Sequence, residues 1–140
     1  MREACDRSLL VAELLGELER SDLIVYVTDS MPGVGSSTVS YLTFVSHDEN
    51  ARYVLIRLDF MKLSPPERIA WLGHELQHAL EIAESPDVVD ASGLATLYKK
   101  IGWETSDGRF ESARARDMGV RSRSQLEPPR SAAWTRRALP

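Results

Sequence analysis

Residues 64–84 read Ser64-Pro65-Pro66-Glu67-Arg68-Ile69-Ala70-Trp71-Leu72-Gly73-His74-Glu75-Leu76-Gln77-His78-Ala79-Leu80-Glu81-Ile82-Ala83-Glu84, and this stretch decides the fold. Ser64 and Glu67 make a capping box with proline at the first helical position, so a helix starts at Pro65. Ser85-Pro86 stops it at about Glu84. Ile69, Leu72, Leu76, Ala79, Leu80 and Ala83 form a core-facing side, while His74, His78 and Glu81 lie along another stripe. Two histidines four apart share a helix face, about 6 Å apart in rise, and both can reach one metal ion. Glu75 then stands beside that ion, where a carboxylate can take a proton from bound water.

The pattern HExxH arises by chance in about a few per thousand chains of this length, so its surroundings carry the reading. Upstream, Leu9, Leu10, Val11, Leu14, Leu15 and Leu18 are spaced for one face of a helix over residues 6–20. Leu23–Val27 is a short β-branched run, followed by a loop with Pro32, Gly33 and Gly35 as breakers. Thr38–Val45 and Arg52–Phe60 read as two more strands. Their short polar connection implies an antiparallel pair. In the last strand Val54, Ile56, Leu58 and Phe60 alternate with Tyr53, Leu55, Arg57 and Asp59, as in a sheet with unequal faces.

Downstream, the spacing predicts a helix over 87–101 with Gly102 as its stop. A further helix is predicted over 107–118, capped by Ser106 or Asp107 and closed by Gly119. After Val120 the chain has no helical or strand period and reads as a poorly ordered tail. The expectation is one α+β domain over residues 1–120, a small mainly antiparallel or mixed sheet packed on the motif helix, with a tail over 121–140.

Composition narrows the classes. The chain has 140 residues, 43% hydrophobic and 27% charged, as a globular domain with one core has. A net charge of −4 gives no reason to expect nucleic acid as a partner. The single cysteine, Cys5, supports neither a disulfide scaffold nor a cysteine metal site. The start lacks a basic segment followed by a long apolar run, and no stretch is long and apolar enough to span a bilayer, so the expected location is cytoplasmic.

A catalytic zinc takes three protein ligands and leaves its fourth position to water. His74 and His78 supply two. Glu111 is the choice for the third, because an intervening helix lets the chain fold back and its neighbours Phe110, Ala113 and Ala115 are small or apolar. Glu81 lies about 10 Å along the axis from His74 and better suits a supporting role beside His78. Asp90 is a further alternative, and His47 reads as an exposed loop residue. Glu75 is the expected general base. Tyr98, Tyr41, Arg114 and Arg116 are candidate donors to a developing oxyanion, Tyr98 also continuing an apolar stripe. The exposed edge of Thr38–Val45 could pair with an extended peptide.

At His74–His78, with strands before and Glu111 after, the chain resembles the zincin superfamily of metallopeptidases, and more narrowly a small gluzincin. The resemblance covers residues 22–118; the longer string LGHELQHALE is also similar to small bacterial proteins. It implies a zincin-like fold, bound Zn2+, His74 and His78 as ligands, a downstream glutamate as third ligand, Glu75 as base and a peptide or protein substrate. Two departures stand out. Many gluzincins carry Asp or another polar partner four residues after the third ligand, where this chain has Ala115. The metzincin branch needs Gly and His where this chain has Glu81 and Glu84. Two other readings compete: a zincin-fold metal-binding or interaction module without hydrolysis, and a helical domain with an accidental HExxH.

Overall fold

The structure, a computed structural model, describes residues 1–29 and 38–126. The chain runs α1 (Arg2–Arg7), α2 (Leu9–Leu18), β1 (Leu23–Thr28), β2 (Ser40–His47), β3 (Arg52–Leu58), α3 (Pro65–Ala83), α4 (Ala91–Ile101), β4 (Gly102–Glu104), β5 (Phe110–Ser112) and α5 (Ala113–Leu126). It is an α+β fold with a mixed sheet of order β1-β3-β2 and a separate β4-β5 hairpin. The predicted turn at 30–37 and the remainder of the predicted tail, 127–140, lie outside the described residues.

β3 sits at the centre, parallel to β1 and antiparallel to β2. Its alternation buries Val54, Ile56 and Leu58 and leaves Tyr53, Leu55 and Arg57 partly exposed. The buried face meets α3 and α2, where Leu76, Ile82 and Val11 are wholly enclosed. Burying each such side chain contributes about 1.5–3 kcal/mol. The helix expected over 6–20 is divided: Ser8 is extended and caps α2, its hydroxyl accepting from the Val11 N–H at 3.3 Å.

α3 follows the sequence closely. Glu67 holds the Ser64 N–H at 2.9 Å in the predicted capping box. Arg68 ties its first turns to the Phe60 carbonyl, and Arg52 ties its last turn through the Ile82 carbonyl. α3 therefore runs antiparallel to β3 and along β2. Its other side packs on α5 closely enough that a Cβ on Gly73 would fall 2.6 Å from the Ser122 hydroxyl.

The region after α3 departs from expectation. The helix predicted from 87 begins at Ala91, because Asp90 caps it through the Gly93 N–H at 2.7 Å. The helix predicted over 107–118 forms only from Ala113 onward, and its first residues are a turn and a strand. Thr105 and Arg109 close a turn, with a Thr105 N–H to Arg109 carbonyl bond of 2.7 Å, and Phe110–Ser112 pairs with β4. The cap is Ser112, whose hydroxyl accepts from the Ala115 N–H at 3.0 Å. α5 starts there, passes through Gly119 without ending and takes in residues 121–126, which the sequence assigns to the tail. Glu111 is consequently a strand residue. Among the described residues no helix is long and apolar enough to cross a membrane.

Candidate metal centre

His74 and His78 stand one turn apart on α3 with ring centroids 4.9 Å apart. Glu111 reaches them from β5: its Oε1 lies 3.8 Å from His74 Nε2 and 3.6 Å from His78 Nε2. One donor atom from each residue falls within 4.8 Å of the other two. Ligand atoms around a tetrahedral zinc are separated by about 3.4 Å, so the three could close on one ion with small side-chain adjustments. The hairpin supplies this approach. A Cβ on Gly102 would fall 2.0 Å from the Glu111 carbonyl oxygen, so only glycine lets β4 and β5 come together here.

The tautomer of His78 is set by its neighbours. Tyr98 donates its hydroxyl hydrogen to Glu81 Oε2 at 2.9 Å, so the Tyr98 hydroxyl oxygen, 2.6 Å from His78 Nδ1, accepts from that nitrogen. Glu81 Oε2 is a second acceptor for Nδ1 at 3.1 Å, and Ser112 donates to Glu81 Oε1 at 2.5 Å. Nδ1 thus carries the proton, and Nε2 is buried without a hydrogen-bond partner. A buried ring nitrogen without a hydrogen-bond partner, beside a histidine and a carboxylate, is a group that could hold a metal ion. Burial opposes a charge on His78, but the Glu81 hydrogen bond and the carboxylates of Glu75, Glu81 and Glu111 outweigh it and raise its pKa.

His74 behaves differently. Burial, then the neighbouring His78, push its pKa down to about 4, so it is neutral at pH 7. Trp71 meets its ring edge-on at 5.3 Å, and Gly119 of α5 lies close to it. Glu75 is buried, with Ser40 on β2 donating to its Oε1 at 2.5 Å. Burial raises its pKa against the lowering influence of His78 and the Ser40 bond.

Of the alternative ligands, Glu81 backs His78 as the sequence suggests, and Asp90 is occupied as a helix cap. His47 is exposed at the far end of β2. The candidate oxyanion donors separate. Tyr98 is turned behind His78, and burial raises its pKa so that it keeps its proton. Arg114 is paired with Glu84 at 2.5 Å, and Arg116 lies over Trp103. Tyr41 lines the cleft above the histidines, which encloses about 430 Å³ between β2, α3, α4 and the hairpin. Three contributors escape the sequence reading. Ser112 has the signal of a cap; Ser40 and Arg109 have none, since only the folded chain brings them to the site.

β2 is an edge strand. The Asp59 N–H donates to the Val39 carbonyl at 2.8 Å, so antiparallel alternation turns the backbone groups of Ser40, Leu42 and Phe44 away from β3 toward the cleft. Among the described residues no strand pairs with that edge. Comparison with protein-family models, with curated proteins and with solved structures finds no match to this chain.

Proposed function

We propose that this protein is a zinc-dependent peptidase of the zincin kind, with His74, His78 and Glu111 holding the ion and Glu75 as general base. The supporting observation is the unpaired His78 Nε2, converging with His74 and Glu111 beside a buried carboxylate in an open cleft. Zinc in such a site lowers the pKa of water to about 7 and polarises a carbonyl oxygen. Glu75 accepts the proton of the attacking water and returns it to the leaving amine. Ser40 engages Glu75 Oε1 and so fixes the carboxylate while Oε2 does this work. Glu81, Tyr98 and Ser112 orient His78. An extended peptide adds to the outward backbone groups of Ser40, Leu42 and Phe44, which carries it across the histidines.

The test is Glu75→Gln in the zinc-loaded protein. It should keep zinc near one per chain and lose at least about a hundredfold of the hydrolysis of unstructured peptides, because a base is removed and no ligand. Full activity would contradict the mechanism. His78→Ala should lose metal and activity together. The burial of Glu75 behind the Ser40 hydroxyl favours one other reading, a metal-binding interaction module without hydrolysis. Bound zinc with no cleavage of any unstructured peptide would select it.

A further inference from the structure

The two ends of the cleft differ in chemistry. Since α3 runs along β2, the end near Ser40 is the N-terminal half of α3 and the end near Phe44 is the C-terminal half. Leu42 and Phe44 make the Phe44 end of β2 apolar, and Leu94 also lines the cleft. At the Ser40 end stands Arg109, the single Lys or Arg among the described residues that line the cleft. The turn of the β4-β5 hairpin carries it there. Its Nη2 bonds the Thr38 hydroxyl, two residues before Ser40, and lies 3.4 Å from Asp107 Oδ2, with the Tyr41 ring 5.7 Å from its guanidinium carbon. Among the described residues its polar contacts are through Nη2, leaving Nη1 and Nε as donors. Arg109 is about one-third exposed, so Asp107 offsets its charge only in part.

Antiparallel addition is the commoner and more stable way for a strand to join an edge. A peptide bound so against β2 runs opposite to it, with its N-terminal side along Leu42 and Phe44 and its C-terminal side toward Thr38. Ser40, holding Glu75, marks the point of attack. Thr38 is two residues beyond, about 7 Å in an extended chain, within reach of an arginine.

Resting on the peptidase reading, we propose that Arg109 determines specificity: it binds a carboxylate one or two residues to the C-terminal side of the scissile bond, with apolar residues favoured on the N-terminal side. That carboxylate is either an acidic side chain or the end of the chain, and the guanidinium fork suits both.

The test measures binding by calorimetry to zinc-loaded, full-length Glu75→Gln protein, which separates recognition from hydrolysis. Three acetylated peptides share an apolar N-terminal half: one ends in a neutral residue with a free carboxylate, one in glutamate with an amidated end, one in glutamine with an amidated end. The first or second should bind about tenfold more tightly than the third, and which one does so names the source of the carboxylate. Adding Arg109→Gln should abolish the preference, and Arg109→Lys should restore it in part. Equal binding of all three peptides, no binding up to millimolar concentration, or a preference that survives Arg109→Gln would overturn the proposal. A preference for the anionic peptides together with no cleavage by the wild-type protein would leave Arg109's role standing and remove the peptidase reading.

Discussion

Arg52, against the end of α3, and His78, on α3, are both buried polar side chains, with 4% and 6% of their side-chain surface exposed, yet their surroundings are opposite in kind. Arg52 is closed. Its Nε and Nη2 fork onto Asp22 at 2.8 and 2.7 Å, and its remaining donors satisfy the carbonyls of Ile82, Ala83, Ser85 and Val88 where α3 ends. His78 is open, its Nδ1 saturated and its Nε2 left bare beside His74 and Glu111. A closed polar cluster fixes a fold. An open one spends stability on a donor that only something from outside can satisfy.

The comparison predicts different responses to substitution. Arg52→Met should lower unfolding stability by about 3 kcal/mol in urea titration, since it strands Asp22 and several helix carbonyls. Zinc stoichiometry of the folded fraction should not change. Gly102→Ala should cost about 2 kcal/mol and weaken zinc binding, because the hairpin must open to admit the Cβ and carries Glu111 with it. If its zinc affinity stays at the wild-type value, the hairpin does not position that ligand. Glu81→Gln should reduce zinc affinity by about ten- to a hundredfold through the orientation of His78, measured by competition with a chelator. Glu111→Gln should leave the metal-free protein within about 0.5 kcal/mol of wild type while zinc affinity collapses, the mark of an open cluster.

The smallest effect concerns acid. The Arg52 hydrogen bond holds the Asp22 carboxyl below its ordinary value of 3.8. The stability this supplies is complete above that value and is lost as pH falls through the lower folded value. Asp22→Asn should therefore flatten the pH dependence of stability below about pH 4, as followed by urea midpoints.

The sequence displays the half of the site that depends on local spacing. The capping box at Ser64, the helical stripe and the His74-Glu75-His78 turn were all legible, because each rests on contacts within four residues. So were the strand alternation around Ile56 and the antiparallel β2–β3 pair. Glu111 could be picked out as the third member of the cluster, but its element could not. Ser106 and Asp107 imitate a helix cap, whereas Thr105, Asp107 and Gly108 are spent on a hairpin turn and Ser112 starts the helix. What stayed hidden is the contacts made across the fold: Ser40 on Glu75 and Arg109 at the mouth of the cleft are separated from their partners by many residues, and no local pattern announces them.

The most direct test of the central claim is zinc per chain, by elemental analysis of wild type and His78→Ala purified without a His-tag or added metal. A ratio near one for wild type and near zero for the variant is the predicted result. Equal ratios in the two proteins, or a wild-type ratio near zero that added zinc does not raise, would contradict a metal centre at His74, His78 and Glu111.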